Sequence, residues 1–321
     1  MSCSSASSAV VSPSPPIDAS SRNRRSRASR TASSVARASS VDMTREPTAS
    51  IDGARPSSSS SNYAFDARGK VIVVTGGTRG IGLGIARAFA ERHSAKRVYI
   101  ASRSARDGWR SSDGVVVELA VDLSTVEGAE KCAREIERCG DDRVHVLVHN
   151  SGTSWGSALE THEDEGWKKT YALNVVGVFH LTRALLPALA RASSARDPSR
   201  VIIIGSTAGI TPQSYPTFSY DASKAAVHHL ARKLADEFAT RRKLHVTVNV
   251  VAPGYVPTKM SKGLEKYDGG SSEDIVRERV PLGRAGTPED VAGAVAFLAS
   301  DAASWITGVV LPVDGGFLAK L

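Results

Sequence analysis

The chain has 321 residues, 41% hydrophobic and 23% charged, with a formal net charge of +8. That length allows one large or two small domains, the composition is ordinary for a soluble globular protein, and no unbroken apolar run reaches the ~18 residues that span a bilayer. The charge is not a nucleic-acid footprint, because half of it falls on residues 1–61 (eight Arg against Asp18, Asp42, Glu46 and Asp52) and no stripe of aromatic and basic residues follows.

The first sixty residues read apart from the rest. They are rich in Ser, Ala and Arg, poor in acids and without Lys, and they hold no apolar stretch of the secretory kind. Such a composition cannot bury enough apolar surface to fold, so residues 1–64 are expected to be a disordered extension and linker. A Ser- and Arg-rich, acid-poor leader is the compositional mark of an organelle transit peptide. The uncharged first seventeen residues, with Pro13, Pro15 and Pro16, favour a plastid over a mitochondrion. Initiation at Met43 would instead leave the product in the cytosol. Cys3, Cys132 and Cys139 form no disulfide framework; the last two are seven residues apart on an expected helix, about 10 Å, too far to bridge. No metal site is expected.

From Lys70 onward, short β-branched runs alternate with helical patterns. The runs are KVIVVTGG, RVYIAS, VVELAVD, VHVLVHN, RVIIIGS, HVTVNVVAPG and GVVLPVDGG. Strands apolar on both faces and separated by amphipathic helices predict a parallel sheet covered on both sides. The fold class is therefore a three-layer α/β/α, Rossmann-type doubly wound domain over 65–321, with ligands expected at the carboxyl ends of the strands. Only the connection between the second and third strands, "RSARDGWRSSDG", is short for a full helix, and a truncated turn is expected there.

The first strand runs straight into "TGGTRGIGLGIARAFA", which places Gly76, Gly80 and Gly82 in a tight turn and the opening turn of a helix. Glycines admit close approach of a pyrophosphate, and the helix start offers free N–H groups and a positive dipole end. Strand, spacing and helix agree, so a dinucleotide cofactor is predicted. The second strand ends in "ASRSAR": no carboxylate directly follows the strand to hold a ribose 2′-hydroxyl, whereas Ser102, Arg103 and Arg106 do follow, and Arg79 adds a cation from the glycine loop. NADP(H) is expected rather than NAD(H).

Farther along, Asn174 is a polar residue in the apolar stretch "ALNVVGVF", read as a hydrogen bonder that bends the helix or as the holder of a proton-relay water. Ser206 ends the strand "RVIIIGS". Tyr220 and Lys224 stand four apart, on one face of a helix whose Val227, Leu230, Leu234 and Phe238 mark the core side. A neighbouring ammonium favours the phenolate, and that tuning suits proton transfer to a carbonyl oxygen at neutral pH. Ser206 would polarise the same oxygen, and Lys224 would also meet the nicotinamide ribose.

The segments TGGTRGIG, HNSG, ALN, GS…YDASK, VNVVAPGYVPT and the closing PLGRAGTPEDVAGAVAFLAS…PVDGGF together resemble the short-chain dehydrogenase/reductase family, from Lys70 to Phe317. The resemblance implies that Asn174, Ser206, Tyr220 and Lys224 are catalytic. It implies a cofactor set of Gly76, Thr78, Arg79, Gly80, Ile81 and Gly82 in the first loop, and Ser102 and Arg103 after the second strand. Asp122 and Leu123 would lie near the adenine. Asn150 and Gly152 stand in the strand-end motif, Pro253, Gly254, Val256 and Thr258 around the nicotinamide amide, and Tyr220 and Lys224 at the ribose. Where the family usually has Asn-Asn-Ala-Gly, this chain has His149-Asn150-Ser151-Gly152; cofactor binding is expected to persist, with His149 a packing residue.

The implied reaction is hydride transfer between NADP(H) and a ketone/secondary-alcohol pair, with reduction the expected direction. Within the family the chain resembles the 3-oxoacyl-[acyl-carrier-protein] reductases, including the rhamnolipid-pathway type. A gluconate 5-dehydrogenase-like ketoreductase and a non-catalytic NADPH-binding regulator are the alternatives. Segments after Gly152, before Tyr220 and after Thr258 are expected to read the substrate, the last as a lid. Arg241, Arg242 and Lys243 are a candidate patch for an acidic carrier protein, or simply a solvated helix end. A homodimer or homotetramer is expected through the helices of Asn174 and Tyr220, with Ala225, Ala226, Val227 and Leu230 as candidate contact positions that could equally serve the internal core.

Overall fold

A computed structural model of the chain describes residues 66–103, 114–262 and 272–320. The expectations for residues 1–64, for the connection holding Arg106 and for the centre of the lid fall outside those residues. The described residues belong to one compact unit, Ser58–Leu321.

Seven strands form one sheet: β1 (Val71–Thr75), β2 (Arg97–Ser102), β3 (Val116–Ala120), β4 (Val146–His149), β5 (Ser199–Ile204), β6 (Val246–Pro253) and β7 (Val310–Val313). Their order is β3-β2-β1-β4-β5-β6-β7, and every pairing is parallel. The chain winds outward from β1 to β3, then returns to β4 on the other side of β1. Helices starting from β1 and β4 therefore leave in opposite senses, and a crevice opens where the order reverses.

The apolar runs split by alternate residues between two cores. Val71 and Val73 of β1, Tyr99 of β2 and Val201 and Ile203 of β5 face one core; Ile72, Val74, Val98, Ile202 and Ile204 face the other. α2 (Val126–Arg138), α4 (Gly177–Ala192) and α5 (Phe218–Asp236) contribute to the first core. α1 (Gly80–Arg87) and α8 (Pro288–Ala299) contribute to the second. Each fully buried Val, Ile or Leu contributes about 1.5–3 kcal/mol, so the two-sided burial is the main source of stability.

α3 (Asp164–Tyr171) continues into α4 through one wide π turn, Ala172–Val176, in which Asn174 is buried. By length and composition alone, this 29-residue stretch would cross a membrane, a feature that a search for unbroken apolar runs passes over. Its apolarity is explained by position: Leu181, Leu185 and Leu189 are buried in the first core, and α2 packs alongside α4. The short helices α6 (Lys259–Lys262) and α7 (Ser272–Arg279) follow β6 and border the mouth of the crevice.

Candidate active site

The crevice holds two adjoining cavities of about 620 and 680 Å³ that share Arg79, Arg103, Gly152 and Thr153. Together they run from the ends of β2 and β3 to the ends of β5 and β6. In the first lie Gly76, Thr78, Ser102, Asp122 and Leu123; in the second lie Gly80, Ile81, Gly82, Asn150, Ser206, Tyr220, Lys224, Pro253, Gly254, Val256 and Thr258. Among the described residues, every site residue expected from the sequence except Asn174 lines this crevice. Asn174 sits immediately behind it.

The glycine loop is built for close approach. Gly76 (φ 65°) and Gly80 (φ 55°) adopt the left-handed conformation that side chains resist. A Cβ on Gly82 would stand 2.4 Å from both Asn150 Nδ2 and the Gly76 carbonyl oxygen. Asn150 is what locks the loop: its Nδ2 donates to the carbonyls of Thr75 (3.0 Å) and Gly76 (3.2 Å). Thr75, which sequence reasoning did not single out, completes the stitch. Its buried hydroxyl accepts from the N–H groups of Asn150 (2.9 Å) and Ser151 (2.8 Å), tying β1 to the end of β4. Its signal was present, a Thr ending an otherwise aliphatic strand before the glycines.

A dinucleotide phosphate fits this construction, since the first turn of α1 has N–H groups with no intrahelical partner and no side chain capping them. At the other end of the crevice, Arg79, Ser102 and Arg103 line one wall. Asp122 is turned to its own loop: Ser124 donates to its Oδ1 from both N–H (3.0 Å) and hydroxyl (2.7 Å), which, with the nearby Arg103 charge, holds the carboxyl below its usual range. The donor set suits a 2′-phosphate.

Around the reacting end, Lys224 is 7% exposed and its Nζ donates to the Ile204 carbonyl at 2.9 Å, which leaves two protons for other acceptors. Burial draws its pKa down to about 8. The ammonium stands 5.6 Å from the centroid of the Tyr220 ring. Burial pushes the Tyr220 phenol up, against a lowering hydrogen bond from Ser206, and Asp221 adds to the rise. The expectation that Lys224 draws the phenol down is thus corrected: desolvation of the phenolate is the largest cause and sets the direction upward. The proton stays on Tyr220 at neutral pH, which is the form a donor to a ketone requires. Ser206, at the end of β5, also accepts from the Ala208 N–H at 3.1 Å.

Asn174 has little left to offer a water through its side chain. Its Oδ1 accepts from Thr153 N–H (2.9 Å), and Nδ2 donates to the Thr153 carbonyl (2.9 Å) and to Ser223 Oγ (3.0 Å). It pins the strand-end segment to α5, next to Lys224; Gly152 lies between, where a Cβ would come 3.3 Å from Asn174 Oδ1. His149 packs as expected: it is buried, contacts Thr182 Oγ1 through Nε2 at 2.8 Å, and is held neutral by burial at about 3.

On α5, Val227 faces the core at 1% exposure, as its place in the core stripe predicts, while Ala225 is exposed and Ala226 and Leu230 are partly so. Arg241 and Arg242 pair with Glu237, about twenty residues along the helix from Tyr220 or roughly 30 Å by helical rise, which fits the solvated helix end.

A third cavity, of about 490 Å³, is lined by Leu159, His162, Trp167, Pro212, Phe218 and Asp221 together with Gln213 and Tyr215. The last two also line the reacting end of the crevice. The third cavity is therefore a side chamber of the same site, and it falls in segments expected to read the substrate.

Comparison with known proteins agrees with this geometry. Residues 76–318 match a family described as Enoyl-(Acyl carrier protein) reductase. The chain is 40% identical to the rhamnolipids biosynthesis 3-oxoacyl-[acyl-carrier-protein] reductase of Pseudomonas aeruginosa, over 79% of this chain and 98% of that one. It is 38% identical to a galactitol 2-dehydrogenase (L-tagatose-forming) of Cereibacter sphaeroides, over 79% and 96%. Among solved structures it is similar to the Pseudomonas aeruginosa RhlG/NADP active-site complex, with TM-score 0.69 and 38% identity over 79% and 98% of the two chains. It is also similar to a gluconate 5-dehydrogenase from Burkholderia cenocepacia in complex with NADP and tartrate, with TM-score 0.71 and 27% identity over 80% and 98%.

Proposed function

The chain belongs to the short-chain dehydrogenase/reductase family and is an NADP(H)-dependent oxidoreductase acting on keto and CH–OH groups; from that premise we propose that it reduces the 3-keto group of 3-oxoacyl thioesters. The observation that carries the substrate class is the side chamber. Leu159, Trp167, Tyr215 and Phe218 give it apolar walls within reach of the reacting end, which suits an acyl chain, while His162, Gln213 and Asp221 add polar groups to the same lining. The name of the Pseudomonas relative supports the same reading.

NADPH, when bound, supplies the hydride. The chain's own residues do the rest. Tyr220 gives its phenolic proton to the ketone oxygen as that oxygen gains charge, and the Ser206 hydroxyl donates a hydrogen bond to the same oxygen. Lys224, held at one N–H by the Ile204 carbonyl, turns its remaining protons toward the ribose and stabilises the tyrosinate left behind. Asn174 keeps the Gly152 segment and α5 in register. The cofactor phosphates take the α1 N-terminus, and Arg79 and Arg103 take the 2′-phosphate.

A sugar-acid ketone is the second reading, favoured by Arg279, which lines the cleft from α7 and would meet a carboxylate. The test is NADPH oxidation with acetoacetyl-carrier protein and with 5-ketogluconate under the same conditions. Faster turnover of the thioester supports the acyl reading; turnover of 5-ketogluconate alone replaces it with the sugar-acid one.

We propose further that the chain forms a homodimer or homotetramer through the outer face of α4 and α5, where Val176, Phe179 and Phe218 are each about 40% exposed. Residues 1–64 are proposed, on composition alone, to be a plastid address; fusing them to a fluorescent protein tests it, and a mitochondrial or cytosolic signal would reject it.

A further inference from the structure

One buried, titratable side chain beside the site has no part in the chemistry above. His228 lies four residues beyond Lys224, one turn deeper on the same face of α5, and is 3% exposed. Its ring is enclosed by the turn that follows β5, the turn that carries Ser206. The Ser206 N–H donates to His228 Nε2 at 3.4 Å, and the ring also hydrogen-bonds the backbone of Gly209. An N–H aimed at Nε2 requires a lone pair there, so the proton belongs on Nδ1, the nitrogen nearest Gly209.

The residues on both sides of the ring are fitted to it. A Cβ on Gly205 would stand 2.2 Å from His228 Nε2, and a Cβ on Gly209 would stand 2.6 Å from Cε1 and 2.8 Å from Nδ1. Neither glycine has a positive φ, so backbone conformation does not explain them. What they provide is close approach of the turn to α5 and β6: room for the imidazole at both ends, and also for the Lys224 backbone, 2.6 Å from a Cβ on Gly209, and for Val250 Cγ1, 2.7 Å from one on Gly205. Burial, with the positive charges of Lys224 and Arg232, draws the imidazole down to about 4, and it is therefore neutral at physiological pH with one fixed tautomer.

We propose that His228 is a positioning residue for the reduction: its imidazole clamps the Gly205–Gly209 turn at both ends and thereby aims the Ser206 hydroxyl at the oxygen that Tyr220 protonates. The inference rests on the family's reduction chemistry and not on the acyl substrate. A hydroxyl displaced by a fraction of an ångström loses its alignment with the transition state, and misplacements of about 1 Å cost on the order of 100-fold in rate. A ring that merely fills space would not need Nε2 and Nδ1 placed against a donor and an acceptor.

The test uses the full chain with NADPH and acetoacetyl-CoA as the carbonyl probe. His228→Phe fills the same space without either polar contact, whereas His228→Gln can keep an acceptor and a donor. The expected result is a kcat lowered roughly 10- to 100-fold for His228→Phe, an NADPH Kd within about twofold of wild type, and recovery of most of kcat in His228→Gln. In a Ser206→Ala background, His228→Phe should add no further loss, because its effect passes through Ser206. Equal activity of the Phe and Gln variants, or a full additional loss in the Ser206→Ala background, would overturn the proposal. Ring nitrogen NMR of histidine-labelled protein gives a reading that needs no substrate: His228 should be neutral with its proton on Nδ1 at pH 7, and a protonated Nε2 would end the assignment. Failure of wild type to reduce acetoacetyl-CoA, with that spectrum as expected, would count against the substrate and leave the clamp standing.

Discussion

Tyr220 and Lys224 show two forces acting on one pair of side chains. Burial raises the phenol and lowers the amine, so at neutral pH the proton sits on the tyrosine and the charge on the lysine. The reductive kcat/KM should therefore be level near pH 7 and fall as pH rises through about 8, where Lys224 loses its charge; a profile still flat at pH 10 would contradict this. The sign for stability is opposite. The unfolded lysine holds its proton up to its ordinary value of 10.5 while the folded one releases it at about 8, so this residue makes stability rise with pH across that window. At the adenosine end, Arg103→Ala should weaken NADPH binding by roughly 10- to 100-fold, the loss of a charge-assisted contact, and leave NADH binding nearly unchanged in a fluorescence titration. Equal weakening of both would remove Arg103 from the 2′-phosphate. The four polar positions of the reacting end were readable in the chain because Ser206 stands at a strand end, Tyr220 and Lys224 share a helical face, and Asn174 interrupts an apolar stretch. The direction of the phenol's shift was not. It depends on how much water the fold removes, and spacing along one helix carries no such information.

At the scale of elements, the glycine loop and α8 offer contrasting tests. Gly82→Ala would drive a methyl into Asn150 and the Gly76 carbonyl, so it should abolish NADPH binding and lower stability by about 1–3 kcal/mol or more, read by denaturant titration. Normal cofactor affinity in that variant would show that the loop does not hold the phosphates. α8 opens with a capping box: Thr287 accepts from the Asp290 N–H while Asp290 accepts from the Thr287 N–H, and Arg284 holds the same carboxylate with two nitrogens. Thr287→Ala should cost about 1 kcal/mol of stability with kcat unchanged. Hydrogen bonds from Arg284 lower the Asp290 carboxyl, so its contribution is present above the ordinary carboxylate range and fades as pH falls below it. All seven strands were legible as β-branched runs, because strands buried on two faces leave that mark. The π turn at Asn174 and the side chamber were not. The first is a one-residue change in hydrogen bonding within a helix, and the second forms only where Leu159, Trp167 and Phe218, distant in sequence, are brought together.

For the whole molecule, the outward face of α4 and α5 is where a second copy is expected. Phe179→Glu should shift the assembly toward a monomer in light scattering, and a wild-type chain that already runs as a monomer would reject the expectation. Removal of residues 1–64 should leave the reductase active, since the cores and the crevice lining described above are built from residues 66–320. The account as a whole stands on proton delivery by Tyr220 in a crevice that binds NADPH. Its most direct test is single-turnover NADPH oxidation by wild type and Tyr220→Phe with acetoacetyl-carrier protein, alongside NADPH binding by fluorescence. The account predicts intact binding and a rate lowered by roughly 100- to 10,000-fold in the variant. A Tyr220→Phe protein that binds NADPH and oxidises it at the wild-type rate would contradict it.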